Sequence, residues 1–295
     1  MRFERRTWHT ADGDAIAVDA QGAAGATAAT PLVVLFHGLE GSSASHYARA
    51  FAGEAARRGW PFALPHFRGC GGLASRAPRA YHSGDHAEIG WMLDRAGEVH
   101  PGPILACGVS LGGNALLRWA EEQGDAARAR VRAIAAVSAP LDLAAGAAAI
   151  HRGVSRQVYT RYFLRTMKPK ALAMLEHHPA LFDRTRMGRA RSLRDFDDAF
   201  TAPLHGFRDA ADYYARASAG PALARIRVPA LVLNARNDPF LPASALPRPG
   251  EVGEHVTLWQ PPHGGHVGFA GGPWPGALRG LPQAVLGWLG DHLVA

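Results

Sequence analysis

A serine stands at the centre of Gly108-Val109-Ser110-Leu111-Gly112, after the apolar run Ile104-Leu105-Ala106-Cys107 and before a helix-forming stretch. G-x-S-x-G between a strand and a helix marks a sharp turn that lifts a serine hydroxyl clear of a sheet as a nucleophile. The flanking positions must be glycine, because a Cβ at Gly108 or Gly112 would meet adjacent backbone. The N-terminus of the following helix lies beneath the hydroxyl and favours negative charge developing there.

A serine at its free pKa is a poor nucleophile and needs a base, with a third group to orient that base. Around such a turn the acid and then the histidine follow in chain order, on loops after later strands. Asn234-Ala235-Arg236-Asn237-Asp238-Pro239 follows the apolar run Ala230-Leu231-Val232-Leu233, and Asp238 stands where the acid belongs. Its bland reading is a turn-forming Asp-Pro; Asn237 is a chemical substitute that would stabilise an imidazolium less well. After His255-Val256-Thr257-Leu258-Trp259 comes Pro261-Pro262-His263-Gly264-Gly265-His266-Val267-Gly268-Phe269. His266 is favoured over His263 as the base, because its glycine neighbours permit close approach to the turn. A tetrahedral oxyanion needs two backbone N–H donors. Leu111, next to the serine, supplies one, and Leu39 in His37-Gly38-Leu39-Glu40-Gly41-Ser42 supplies the other. A phosphate cradle is the competing idea for this glycine-rich loop, but neither G-x-x-x-x-G-K-[ST] nor G-x-G-x-x-G occurs. Nothing spaces His and Cys as a zinc site would, so neither a metal nor a cofactor is expected.

These residues need a scaffold that delivers them to one edge. Leu32–Phe36 is continuously apolar, as in a strand buried on both faces of a parallel sheet. Comparable runs recur at 61–64, 104–107, 131–137 and 230–233, with helical patterns at Tyr47–Arg58, Asp85–Val99 and Leu111–Gln123 between them. The alternation predicts an α/β fold with a mostly parallel, doubly wound sheet. Asp12-Gly13 between two short alternating runs predicts a hairpin at the start, and Gln21–Thr30 reads as a surface loop. After Ser138-Ala139-Pro140 the rhythm stops, and Gly220-Pro221 marks its return. The expected organisation is a core from 1–139 and 223–295, with an inserted helical lid at 140–222. An insertion after the sixth strand falls at the carboxyl edge, over the site.

Composition narrows the classes further. Hydrophobic residues form 47% and charged residues 19%, an ordinary globular balance. No run approaches a membrane span, and Met1–Arg6 lacks the apolar core of a signal peptide. Cys70 and Cys107 make no disulfide framework, so the chain reads as cytoplasmic and reduced. The net charge is +7, and Lys168 and Lys170 are the only lysines among 32 basic residues. Between His151 and Arg194, eleven Lys or Arg face only Glu176 and Asp183. Interspersed Val154, Val158, Tyr162, Phe163, Leu164, Met167, Leu172 and Leu175 give this segment an amphipathic pattern. Either the charges solvate a helical face, or they draw the lid to acidic lipid or an anionic substrate. No nucleic-acid-binding signature accompanies them, and nucleic acid is not expected as a partner.

With these pieces in place the chain resembles the α/β-hydrolase superfamily, and within it the YheT-like branch (AB hydrolase family 4) that also holds the ABHD-type lipid hydrolases. The matches are His37–Ser42, Phe67-Arg68-Gly69-Cys70-Gly71, Tyr81-His82-Ser83-Gly84-Asp85, the turn Gly108–Asn114 and Gly265–Phe269. Phe196-Asp197-Asp198 and Thr201–Phe207, inside the expected lid, match as well. The resemblance implies a serine carboxylesterase of esterase or lipase type, acting on a small-molecule ester through an acyl-serine. The alternatives are transfer of the acyl group to an alcohol on the same triad, and a non-catalytic ligand- or membrane-binding scaffold. Some matching residues have no evident chemistry. Asp85 reads as a helix cap, Arg68 as a partner of an internal acid or of a substrate carboxylate, and Asp197 and Asp198 as braces against lid arginines.

Overall fold

The computed structural model describes residues 2–22, 25–152, 156–271 and 278–293. Eight strands form one sheet in the order β1-β2-β4-β3-β5-β6-β7-β8. They are β1 (Glu4–His9), β2 (Ala15–Gln21), β3 (Leu32–Phe36), β4 (Phe62–Pro65), β5 (Ile104–Val109), β6 (Ala133–Val137), β7 (Ala230–Leu233) and β8 (Val256–Trp259). β1 and β2 are the expected hairpin, β2 runs antiparallel to β4, and every later pairing is parallel. β2 reaches further than its composition suggests. Ala20 and Gln21 pair with Ala63 and Phe62, and the Gln21 amide donates to the Ala52 carbonyl at 2.5 Å, so a polar strand end is satisfied by its neighbours.

Both faces of the sheet are buried, which is why its central strands are apolar throughout. Val34, Phe36, Ile104, Ala106 and Ile134 point to the face covered by α2 (His86–Val99) and α3 (Leu111–Gln123). Val33, Leu35, Leu105, Cys107 and Val137 point to the other, covered by α1 (His46–Arg57) and the C-terminal helix Gly280–Asp291. Asp85 does cap α2, accepting the Glu88 N–H at 3.3 Å. Arg68 is structural: its buried guanidinium donates to Glu88, Asp12 and Asp14, tying the first hairpin to α2.

Between β6 and β7 the described chain is helical: α4 (Leu143–Ile150), α5 (Arg161–His177), α6 (Arg184–Arg189), α7 (Leu193–Phe196), α8 (Ala202–Leu204) and α9 (Ala210–Ala217). Leu164, Met174, Met187, Phe196 and Phe200 give this segment a small core of its own. Val154, part of the amphipathic pattern, lies outside the described residues. Among the described residues, the Asp197–Asp198 pair meets no arginine. Asp197 accepts the Thr201 and Tyr214 hydroxyls at 2.7 and 2.8 Å, and Asp198 accepts the Ala210 N–H at 2.7 Å. The nearby Arg191 and Arg194 are exposed, whereas burial of the Asp197 carboxyl pushes it up to about 7, so hydroxyls rather than guanidinia satisfy it.

The β5–α3 connection is as tight as backbone allows. Ser110 caps α3 at φ +52°, ψ −121°, a conformation side chains rarely adopt. A Cβ at Gly108 would lie 2.4 Å from the Gly112 carbonyl oxygen, and one at Gly112 would lie 2.6 Å from those of His37 and Phe36. Gly112→Ala must push β3 and α3 apart. We expect it to lower stability by at least about 1–3 kcal/mol, read as an earlier urea midpoint, as overpacking against rigid backbone does.

Acid should unfold the chain partly through buried histidines. Burial pushes His37, His82 and His205 down to about 3, so each stays neutral in the fold. In the unfolded chain a histidine charges near 6.5, so below that pH the unfolded state binds more protons and stability falls toward pH 3. Each histidine contributes a slope of about 1.4 kcal/mol per pH unit once the pH is well below 6.5. His205→Gln should reduce the proton uptake on urea unfolding at pH 4–5 by about one; an unchanged slope would remove His205 from this account.

Candidate active site

Three carboxyl-edge loops converge on the turn after β5. The loop after β7 supplies Asp238, whose buried carboxylate is held by the Phe240 N–H at 2.8 Å. The loop after β8 supplies His266. Its Nδ1–H donates to Asp238 Oδ2 at 2.8 Å, and its Nε2 lies 3.1 Å from Ser110 Oγ, placed to accept the hydroxyl proton. The Phe240 ring packs on the imidazole with centroids 4.4 Å apart, limiting its rotation. His263, in the same loop, is exposed and is not part of this arrangement.

The His266 loop is tightly specified. Gly265, Val267 and Phe269 all have positive φ, at +61°, +64° and +43°, and Val267 is β-branched. Such a conformation persists only when neighbours over-determine it. Here the Val267 N–H donates to Ser138 Oγ at 3.3 Å, and the Gly265 N–H donates to Asn237 Oδ1 at 2.9 Å. Asn237 therefore fastens the histidine loop to the loop that carries the acid.

Leu39 and Leu111 line the same cavity as Ser110 and His266, with a volume of about 390 Å³. Leu111 is the first residue of α3, where a backbone N–H has no intrahelical acceptor and is free for a ligand. Leu39 sits in a loop braced on every side. The Gly38 N–H donates to the Tyr47 hydroxyl at 2.9 Å, and buried His37 bridges the Gly38 carbonyl and the Phe67 N–H at 2.7 and 3.1 Å. Glu40, at φ +56°, donates its N–H to the Tyr81 hydroxyl at 3.0 Å, and that hydroxyl donates back to Glu40 Oε1 at 2.9 Å. Lys170 of α5 completes the brace, its Nζ 2.8 Å from Glu40 Oε2.

Glu40, Tyr81 and Lys170 carry no local signal of this partnership. Glu40 and Tyr81 fall in separate motifs, and Lys170 reads in sequence as one charge of a basic segment. Asn114, the last residue of the turn motif, also has a role that its position hides. Its amide donates to the Ser83 and Ala217 carbonyls, both at 2.8 Å, and its carbonyl accepts the Ala219 N–H at 3.0 Å. This locks the inter-strand helices onto α3. Among the described residues, no group of three His, Cys, Asp or Glu side chains is placed to hold a metal ion. No helix among them is long and apolar enough to cross a membrane.

Comparison with known proteins gives consistent results. The family model for the alpha/beta hydrolase fold matches residues 31–273. YheT of Escherichia coli (strain K12), named for an inferred esterase activity, is 39% identical over 268 residues, covering 90% of this chain and 78% of its own. Phospholipase ABHD3 of Mus musculus is 30% identical over 283 residues, covering 93% of this chain and 68% of its own. Among solved structures, Est1E from Butyrivibrio proteoclasticus superposes with a TM-score of 0.61 at 14% identity, covering 99% of both chains. Mouse alpha/beta hydrolase domain-containing protein 10 superposes with a TM-score of 0.60 at 14% identity, covering 98% of this chain and 99% of its own. A mostly parallel eight-stranded sheet, a serine on the turn after β5 and relatives named for esterase and phospholipase activity agree: the chain belongs to the α/β-hydrolase family, in the branch of YheT and ABHD3.

Proposed function

We propose that the chain is a serine carboxylesterase with Ser110, His266 and Asp238 as its triad. The observation that carries this reading is the unbroken relay from Asp238 Oδ2 through His266 to Ser110 Oγ, with contacts of 2.8 and 3.1 Å. Ser110 Oγ attacks the ester carbonyl while His266 Nε2 takes its proton, and the Leu39 and Leu111 N–H groups receive the oxyanion. His266 then protonates the departing alkoxide, leaving an acyl-serine. Water attacks that ester with His266 again as base and releases the acid. Asp238 holds the imidazole in the Nδ1–H tautomer and stabilises it when charged. The helices at 140–222 act as a lid over the cleft.

A fluorophosphonate probe followed by peptide mapping should label Ser110, and Ser110→Ala should abolish both labelling and turnover of aryl esters. His266→Ala should lose on the order of 10³-fold or more in kcat/KM, whereas His263→Ala should lose far less. Labelling elsewhere, or turnover retained in folded Ser110→Ala, overturns the triad, and a folded wild type that neither labels nor turns over any ester returns the chain to a non-catalytic scaffold. Appearance of a new ester when excess short alcohol is added would make the acyl acceptor an alcohol as well as water.

A weak contact of the lid with anionic membrane is favoured by one specific patch. Val158, Tyr159 and Tyr162 are 52%, 39% and 57% exposed, beside exposed Arg161 and Arg165. Tyr162 also lines the cavity of Ser110, and the Tyr159 ring packs on Phe240 at 4.5 Å. Apolar side chains ringed by cations suit the surface of an acidic bilayer, where each cation near the surface contributes about 1 kcal/mol. The protein should co-sediment with phosphatidylserine vesicles at low salt and release at 0.5 M NaCl, where screening shortens the range of attraction. Equal binding to neutral vesicles, or none to either, would leave these charges as a solvated face.

A further inference from the structure

We propose that a cavity lined by the start of α2, the end of α3 and residues 205–217 of the inter-strand helices binds a neutral, hydroxyl-rich small molecule, a sugar or polyol. The cavity holds about 530 Å³, within the range of small-molecule sites, and shares no lining residue with the cavity of Ser110. Asp85 and Ala87 reach it from the start of α2, Arg118 and Glu122 from α3, and His205 and Arg216 from the chain between β6 and β7. Among the described residues, eight buried side-chain nitrogens or oxygens lack a protein partner. Three of them, Asp85 Oδ2, Arg118 Nε and His205 Nε2, belong to residues that line this one cavity. Asp85 is only 3% exposed, so an unmet oxygen there costs free energy unless an occupant of the cavity meets it.

The chemistry of the three atoms specifies the occupant. The Arg118 Nε–H can only donate. Burial pushes His205 down to about 3, so its ring is neutral; a hydrogen bond to the Ala80 backbone takes the ring proton, and Nε2 is left as an acceptor. Asp85 Oδ1 already accepts from Arg79 Nη2 at 2.5 Å and from the Glu88 N–H at 3.3 Å. Burial pushes the Asp85 carboxyl up, so Oδ2 accepts when ionised and donates when protonated. A hydroxyl group does both, and a molecule carrying several of them satisfies all three atoms in either state of Asp85.

Charge argues against the other classes. Each guanidinium of the wall already faces a carboxylate. Arg79 meets Asp85 and Glu88, Arg118 meets Glu121 and Glu122, both at 2.5 Å, and Arg216 meets Asp212 at 3.4 Å. An anion would have to compete with those carboxylates, and an ammonium would be held against three guanidinia. A hydrocarbon would strand the same three polar atoms away from water. A neutral polyol meets none of these costs. Because Asp85 and Arg118 belong to the layer on the sheet while His205 and Arg216 come from the inter-strand helices, such a molecule joins the two.

The test is titration of the full chain with myo-inositol, glucose and glycerol, beside sodium phosphate and methylammonium chloride. Binding is read as saturable heat and as magnetisation transfer to the solute's C–H protons, because polyols raise heat stability merely by exclusion from protein surfaces. At least one of the three hydroxyl-rich solutes should bind saturably in the millimolar range. Ala87→Trp fills the cavity from an exposed position in the first turn of α2 and should abolish that binding. His205→Phe keeps a ring but removes the Nε2 acceptor, and should weaken binding about three- to tenfold, the worth of one hydrogen bond. In the wild type the bound solute should slow amide exchange at 84–88 and 205–217 together. The proposal is overturned if none of the three solutes binds saturably, if binding is unchanged in both variants, or if Ala87→Trp removes binding of phosphate or methylammonium instead. Where circular dichroism shows a variant unfolded, the exchange measurement on the wild type decides: protection confined to other segments places the solute elsewhere and overturns the assignment.

Discussion

The site depends on how closely β3, β5 and the start of α3 can approach. Three backbones meet where Gly108, Gly112 and Gly113 lack side chains, and a single Cβ there would fall within 3 Å of a main-chain oxygen. Ser110 takes a positive φ at that approach, and Ser110 and Leu111 line the same cavity. The loop after β3 is drawn in by the same contact, since a Cβ on Gly38 would sit 3.2 Å from that of Ser110. The proposed nucleophile and the proposed oxyanion donors thus share one steric constraint. The strain at Ser110 is borne by a sheet buried on both faces, which has no room to relax.

What could be read from the chain follows from where each signal is stored. The parallel strands are legible because two-sided burial demands unbroken apolar runs, and β3, β5, β6 and β7 have them. Ser110, Asp238 and His266 could be picked as candidates because they follow strands in the chain order serine, acid, histidine, in glycine- or proline-bearing loops. The end of β2 was opaque because Gln21 is polar and its partners come from β4 and α1. Asp197 was misassigned for a related reason. A carboxylate amid arginines suggests ion pairs, but the fold buries the acid and turns the arginines outward, leaving the Thr201 and Tyr214 hydroxyls as its partners.

Several motif residues without reactive chemistry prove to be fasteners between layers. Arg68 joins the hairpin to α2, Asn114 joins α3 to the chain returning from the inter-strand helices, and the Ser83 N–H meets the Tyr213 hydroxyl at 2.9 Å. A Cβ on Gly84 would lie 2.6 Å from that of Ala217, so even this glycine serves the junction. Such fasteners couple residues 20 to 133 positions apart, a distance over which neither periodicity nor composition carries information.

The bridge from Lys170 to Glu40 ties α5, which lines the cavity of Ser110, to the residue beside the proposed oxyanion donor Leu39. Coupling of this kind is reciprocal: if the position of α5 changes how strongly the Leu39 amide holds a charged oxygen, that oxygen changes the position of α5 by the same free energy. With such a coupling, α5 and the loop of Leu39 would act as one thermodynamic unit. An anion that binds more tightly at the Leu39 amide when the bridge is formed would hold α5 in place by the same free energy, and its departure would relax it.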